Sequence, residues 1–376
     1  MAVRLSATLI VKDEELCLAD CLRSIKDLVD EILVVDTGSR DSSREIAQTF
    51  GAQVRTYHWQ DDFAAARNYA LDQASGDWIL YIDADERVRP YDRRALEAEL
   101  ARPRLCGATV KFHARTGFTA YPEYRLFRRD PRIRFRGVIH ETILPDLNRL
   151  TADDNELLGT TRLTIDHIGY DGDQSHKLER NLNLLTKQTR IDPERIYLWW
   201  HLGTVYRDLG KLEDADAAWS EGVNIARRSH VRGPDIALCF IELSKVWLLA
   251  GKNPLPLLEE ASKLQPGNLL VDWLKARALV VAGRYNEAIS LFTALAAIDA
   301  STLLDETAYD RRIFGAWSFA EAAYCAFKLN RFDESEKLYC RAQELEPQIP
   351  EFRIKRQLAA ARANEYRGIG HHTKGT

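Results

Sequence analysis

Up to Pro90 the apolar positions come in short runs separated by amphipathic stretches. Leu5 to Val11, Ile32 to Val35, Gln53 to Tyr57 and Trp78 to Ile82 read as strands, bounded by polar or glycine-containing turns. Between them, Leu16 to Leu28, Ser42 to Phe50 and Phe63 to Ala74 carry helical spacing. The side chains of Ser39-Arg40-Asp41-Ser42 are placed to cap the second of these helices. Strand–helix alternation at this short spacing predicts a mostly parallel sheet covered by helices on both faces. After Pro90 the rhythm changes. Ala108 to Phe112, Tyr124 to Phe127 and Arg162 to Ile165 are shorter strand candidates with charged, less regular connections.

From about Lys177 the period is helical throughout. Helix–turn junctions recur at Leu209-Gly210-Lys211-Leu212, Ala250-Gly251-Lys252, Ala282-Gly283-Arg284-Tyr285 and Leu329-Asn330-Arg331-Phe332, at irregular spacing. Trp200-His201-Leu202-Gly203-Thr204-Val205-Tyr206 followed by Ala215 resembles a tetratricopeptide repeat, as do Pro266 after Leu264-Gln265 and Pro347 after Leu345-Glu346. Helix pairs of this kind bury their apolar faces only by stacking. The stack offers a concave surface for a peptide or partner protein, or a platform bracing the first domain or a homodimer. The expected division is 1–175 for the α/β domain, 176–365 for the helical repeats and 366–376 for a flexible tail.

Composition changes this picture little. The 376 residues are 29% charged and 45% hydrophobic, enough for more than one core, and the net charge of −4 gives no nucleic-acid footprint. Six cysteines form no C-x-x-C pair, and Cys17 and Cys21, four apart on a helix, are read as packing residues rather than half a zinc site. Charges at Lys12 to Glu15 interrupt the first apolar run too soon for a signal peptide, and no stretch has transmembrane length. The expected location is cytoplasmic, with a peripheral place at the inner membrane surface as the alternative.

The candidate chemistry begins where the Trp78 to Ile82 run ends in Asp83-Ala84-Asp85-Glu86. Acidic groups so close together repel one another and need a cation. Two carboxylates one residue apart at a strand end can share a hard divalent metal, which could hold the phosphates of a nucleotide; a solvated Asp-rich turn is the plainer alternative. A second strand, Glu31 to Val35, runs into Asp36-Thr37-Gly38-Ser39. Open parallel sheets bind ligands at the carboxyl ends of their strands, so both segments are placed to line one crevice.

Thr8-Leu9-Ile10-Val11-Lys12-Asp13-Glu14-Glu15, then Val34-Val35-Asp36-Thr37-Gly38-Ser39-Arg40-Asp41-Ser42, Ala66-Arg67-Asn68 and Asp83-Ala84-Asp85 resemble, in this order, the signature of family-2 glycosyltransferases. The resemblance covers about the first 175 residues and implies a GT-A (Rossmann-like) fold. It also implies sugar transfer from a nucleotide-diphosphate donor, with a UDP-sugar the first to expect, assisted by Mn²⁺ or Mg²⁺.

By the same resemblance Asp36 meets the base or ribose, Glu14 is a second candidate for the base, and Asp83 touches ribose or a metal-bound water. Glu14 also fits as an acid favoured by a helix N-terminus. Arg67 is expected to pair with the diphosphate, or else to be a solvated helix arginine. Asp85 is the strongest metal ligand, and His167, within Thr164-Ile165-Asp166-His167-Ile168-Gly169-Tyr170, matches a late histidine that many of these enzymes supply to metal or diphosphate. Asp85 and His167 together would make a mixed O/N site suited to Mn²⁺ as well as Mg²⁺. Glu86 reads as a surface residue. Arg134-Phe135-Arg136-Gly137-Val138-Ile139-His140-Glu141 resembles the segment that reaches the acceptor. Glu141 is there the expected base of an inverting transfer, and His140 a residue that orients it or contacts phosphate.

The chain departs from the family in having Val35-Asp36 where many members carry two adjacent aspartates, and in lacking the Q-x-x-R-W run of processive synthases. Transfer of a single sugar is therefore expected. Relatives with a short GT-A domain followed by tetratricopeptide-like helices include bacterial enzymes that glycosylate peptides, which makes a peptide or protein acceptor attractive. A transferase for lipid-linked or cell-envelope glycans, and a non-catalytic scaffold with a decayed transferase domain, stay open as alternatives.

Overall fold

The computed structural model describes residues 3–169, 175–229 and 233–372. The chain divides into two compact units, residues 1–193 with 304–308, and residues 194–303 with 309–376.

The first unit opens as the alternation predicts: β1 (Leu5–Val11), α1 (Leu18–Ile25), β2 (Glu31–Asp36), α2 (Ser43–Thr49), β3 (Gln53–Thr56), α3 (Phe63–Gln73) and β4 (Trp78–Tyr81). β5 (Glu86–Val88), α4 (Arg93–Leu100), β6 (Leu105–His113), β7 (Tyr121–Arg128), α5 (Leu144–Asp153), β8 (Leu157–His167) and α6 (Ser175–Ile191) follow. β2 is buried at every position, and β1 at every position but Ile10, so both read as continuous apolar runs rather than alternating ones. Asp62 caps α3 and Asp92 caps α4, each accepting from a backbone N–H three residues on. At α2 the N-cap residue Ser42 makes no side-chain cap bond, and Asp41 instead accepts from the Ser43 N–H at 3.0 Å.

The sheet order is β3-β2-β1-β4-β7-β6-β8-β5. β1 to β4 are parallel, as expected. The second half is mixed: β7 is antiparallel to β4 and β6, β8 parallel to β6, and β5 antiparallel to β8. The expectation of a mostly parallel sheet is thus corrected beyond β4, where β7 runs antiparallel to both of its neighbours. α1 is shorter than expected because Leu16 is 92% exposed and contributes nothing to the core. The boundary expected at 175 falls later, since α6 belongs with the first unit, to which buried Gln188 ties it by accepting the Val138 N–H at 2.9 Å. Leu5, Leu9, Leu22, Ile25, Leu80 and Leu126 lie in the main core of this unit.

The second unit holds α7 (Ile196–Asp208), α8 (Leu212–Arg228), α9 (Leu238–Leu249), α10 (Leu255–Leu264), α11 (Leu269–Val281), α12 (Tyr285–Ala296), α13 (Gly315–Lys328), α14 (Phe332–Leu345) and α15 (Pro350–His372). Each of the four junctions read from the sequence is a turn between paired helices. Gly210, Gly251, Gly283 and Asn330 hold left-handed φ values of 75°, 69°, 72° and 59°. After each, the next N–H reaches back five residues, as Lys211 does to the Tyr206 carbonyl and Arg331 to that of Ala326. Gly203 on α7 has no room for a side chain, since a Cβ there would meet the Trp219 indole of α8 at 2.3 Å. α15 continues to His372, beyond the point where a tail was expected; residues 373–376 lie outside the described residues.

Candidate active site

Parallel register brings the carboxyl ends of three strands level. Val11 pairs with Asp36 and Thr8 with Tyr81, so the turns carrying Glu14, Asp36 and Asp83–Asp85 emerge along one edge of the sheet. The β1 and β2 turns interlock: the Asp13 N–H donates to Ser39 Oγ, the Glu14 N–H to Ser43 Oγ, and the Arg40 N–H to Asp13 Oδ1.

Asp36 is 1% exposed, and its carboxylate is already engaged. Oδ1 accepts from the Ser39 N–H at 3.0 Å, and Oδ2 from Arg44 Nε at 2.6 Å. Burial opposes its ionisation, but the Ser39 and Arg44 bonds outweigh this and hold the group below the usual carboxylate range. For Glu14 burial raises the pKa, the neighbouring Asp85 and Asp83 raise it further, and Lys177 opposes. Glu14 therefore shares the field of the acidic turn.

The Asp85 and His167 sites, far apart in sequence, meet through the edge strands. Glu86 pairs with His167 across β5 and β8, and the Ile168 N–H donates to the Asp85 carbonyl at 2.9 Å. Asp85 Oδ2 then lies 3.2 Å from His167 Nε2. Gly169 is required here, because a Cβ at that position would stand 1.8 Å from Asp85 Oδ2. Tyr170, the last residue of this stretch, lies outside the described residues. His167 Nδ1 is 3.2 Å from the Ala114 carbonyl, an acceptor only, so this contact calls for the proton on Nδ1. The neutral ring then presents the Nε2 lone pair to a carboxylate oxygen, a pairing that needs a proton or a cation between them. Burial disfavours the imidazolium, but the Asp85 bond and the charges of Asp85 and Glu86 prevail and raise the pKa.

This donor set fits a divalent cation. A ligating histidine commonly donates its other N–H to a backbone carbonyl, as His167 does. Among the described residues no group of three or more His, Cys, Asp or Glu is placed to hold a metal ion, so Asp85 and His167 would supply two ligands only.

The other side of the site is organised by α3. Asn68 clasps the backbone of Phe135, donating to its carbonyl and accepting from its N–H, both at 2.9 Å. The next segment is closed by reciprocal backbone bonds between Arg136 and Thr142, each 3.0 Å, and by the Phe63 N–H donating to the Val138 carbonyl. Gly137 at φ 103° and His140 at φ 52° make the sharp reversal that sets Glu141 against α3. Arg67 Nε meets Glu141 Oε1 at 2.5 Å, and Nη2 meets Asp83 Oδ1 at 2.8 Å. Arg67 is buried, its guanidinium over the Tyr81 and Phe135 rings. The alternative of a solvated arginine is therefore corrected, and the group expected at the diphosphate joins Asp83 to Glu141 in this structure. Burial would raise the Asp83 pKa, but Arg67 and Arg125 hold it below the usual range.

Two participants escaped the sequence reading. Glu86, expected at the surface, is 1% exposed and bonded to Arg125 Nη2 at 2.7 Å. Burial pushes its pKa up, Arg125 opposes, and Asp83 adds to the rise. Arg125 lies beside Leu126 and Phe127 in β7, a strand that also carries Glu123 and Arg128, so nothing in the local sequence singled it out. Cys21 is fully buried, with Sγ directed at the Asp83 carbonyl, which agrees with packing rather than zinc binding.

Comparison with known proteins gives this geometry a family. Residues 6–150 match the model of Glycosyl transferase family 2, and residues 318–349, spanning α13 and α14, match a tetratricopeptide repeat. The N-terminal domain thus matches Glycosyl transferase family 2, and the helices that follow include a match to a tetratricopeptide repeat. A TPR repeat-containing protein of Synechococcus elongatus is 37% identical over 231 residues, which are 60% of this chain and 57% of that one. This chain thus spans little more than half of that relative. The SPbeta prophage-derived glycosyltransferase SunS of Bacillus subtilis is 24% identical over 381 residues, covering 98% of this chain and 85% of SunS. Among solved structures, YrrB, a TPR protein, aligns at TM-score 0.37 and 18% identity over 50% of this chain and 84% of its own. Glucosyl-3-phosphoglycerate synthase from Mycobacterium tuberculosis aligns at TM-score 0.36 and 17% identity over 50% of this chain and 80% of its own. Likenesses this weak carry no inference about ligands.

Proposed function

We propose that this chain is a metal-dependent, inverting transferase moving a single sugar from a nucleotide-diphosphate donor, first a UDP-sugar, to a peptide or protein acceptor. The observation that carries this reading is the Asp85–His167 pair, 3.2 Å apart at the carboxyl edge of the sheet, with Glu141 joined to the same acidic turn through Arg67. Asp85 and His167 would hold Mn²⁺ or Mg²⁺, which when bound neutralises charge developing on the diphosphate leaving group. Asp36 and Glu14 line the nucleotide end, and Asp83 lies between that end and the reacting centre. Asp36, engaged by Arg44 and its own turn, offers the base or ribose whatever acceptor capacity those bonds leave.

Glu141 takes the proton of the acceptor as its nucleophile attacks the anomeric carbon from the face opposite the leaving diphosphate. Arg67 orients that carboxylate by holding Oε1. His140, in its strained turn, sets the direction in which Glu141 leaves the backbone. The helical repeats supply the surface from which a peptide acceptor would be presented. Among the described residues no helix is long and apolar enough to cross a membrane.

Turnover with a panel of UDP-sugars and Mn²⁺ tests the reading, with Glu141→Gln beside the native protein. The variant should bind donor with unchanged affinity and lose transfer by about a hundredfold or more, the scale of a lost general base. Near-native turnover would remove Glu141 from the chemistry.

A further inference from the structure

Arg125 is more deeply buried than any charge on a strand interior would be without a task. It is 6% exposed, sandwiched between the Tyr81 and Phe112 rings with its guanidinium carbon 4.5 and 4.7 Å from their centroids. Nη2 donates to Glu86 Oε1 at 2.7 Å. The other oxygen of the same carboxylate, Oε2, accepts the backbone N–H of Asp83 at 2.9 Å, and the Glu86 N–H returns to the Asp83 carbonyl at 3.0 Å. Nη1 is sealed from solvent without a hydrogen-bond partner and stands 3.9 Å from Asp83 Oδ2. Arg67 holds the opposite oxygen, Oδ1. The Asp83 carboxylate is thus placed between two guanidiniums, while its backbone is held by a carboxylate that one of them holds.

We propose that Arg125 is a positioning residue that fixes the Asp83–Glu86 turn through Glu86, and so sets where Asp83 and Asp85 meet the metal–nucleotide donor. This rests on the transferase reading for its consequence, but not for its geometry. Burying Arg125 is costly unless its partners are held rigidly, and a rigid partner is what a metal-bearing turn requires. The aromatic sandwich fixes the plane of the guanidinium, so both prongs of the fork keep their directions. A lysine at this position keeps the charge but offers no planar fork to hold Glu86 while facing Asp83.

The test is amide hydrogen exchange of the full chain, followed by mass spectrometry, for the native protein, Arg125→Lys, Glu86→Gln and the double variant. Calorimetric titration with Mn²⁺ and UDP accompanies it. The expected result is exchange in peptides covering 82–87 faster by roughly tenfold or more in each single variant, the scale of a lost charge-assisted bond. Exchange in β1 and β2 should stay at the native rate, and the double variant should add little to either single one. Mn²⁺–UDP affinity should fall by a similar factor. If Arg125→Lys fails to fold, Glu86→Gln breaks the same link from the other side and decides alone. Native exchange at 82–87, or acceleration spread evenly over β1, β2 and β4, would overturn the proposal. Absence of Mn²⁺–UDP binding by the native protein would instead sink the transferase reading, while the exchange rates still decide what holds the turn.

Discussion

Asp85 and His167 form one pair, 3.2 Å apart, whose two members can be changed separately. Replacing Asp85 by Asn removes the anion but keeps the oxygen, and replacing His167 by Gln removes the ring nitrogen. Each change should weaken Mn²⁺–UDP binding by at least tenfold with little change in melting temperature, since both side chains lie at the edge of the fold. Gly169→Ala should act in the same direction for a steric reason, because its methyl group would displace the Asp85 carboxylate. Manganese titration followed by electron paramagnetic resonance separates the two effects, and unchanged affinity in all three variants would remove the pair as a metal site. The individual acids were legible in sequence because they cluster in a strand-end motif. Their partners were not: nothing local tells Asp83 that Arg67 and Arg125 will reach it, or tells Glu86 that a β7 arginine will bury it. Such pairings are set by strand order, which the residues near the motif do not encode.

Elements with uninterrupted apolar runs were readable, and those interrupted by charges were not. β1, β2 and β4 stand close to where periodicity put them, whereas β5 was missed because Glu86-Arg87-Val88 has neither an apolar run nor length. β8 was found only over Arg162 to Ile165, the positions before them being exposed or half-buried. Within the parallel half, Glu31 is a structural acid at the start of β2. It accepts from Ser6 Oγ, from the N–H and Oγ of Ser75, and from Gln53 Nε2, tying β1, β2, β3 and the entry to β4. Burial opposes its charge, but the Ser6 and Ser75 bonds prevail and lower its pKa. A carboxyl depressed in the folded state stabilises above its unfolded pKa, about 4.3, and loses that contribution as pH falls through the lower folded value. Glu31→Ala should cost about 1–3 kcal/mol at neutral pH, and the deficit relative to the native protein should shrink as the pH drops below about 4. Urea unfolding at pH 7 and pH 3 checks both; a constant deficit would contradict the assignment. In the helical unit Asn330→Gly should stabilise modestly, by about 0.5–1 kcal/mol, because glycine enters the left-handed region without the Cβ penalty.

The whole molecule pairs an α/β unit, where the proposed chemistry lies, with a helical-repeat unit that has its own core around Trp219, Phe240 and Phe292. Ligand that binds only the folded first unit stabilises it by mass action, about 2.7 kcal/mol at a hundred times the dissociation constant. Scanning calorimetry with Mn²⁺ and UDP should therefore raise the transition that Leu9→Ala lowers, and leave unmoved the one that Phe292→Ala lowers. A ligand shift confined to the second transition would place the nucleotide in the wrong unit.

The transferase reading stands or falls on whether the edge of the first sheet binds a nucleotide diphosphate through a divalent cation held by Asp85. Calorimetric titration of UDP into the native protein and into Asp85→Ala, each with and without Mn²⁺, tests it most directly. The account predicts binding that requires Mn²⁺ in the native protein and is lost in the variant, with the melting temperature unchanged. Equal binding by both proteins, or binding indifferent to the cation, would contradict it.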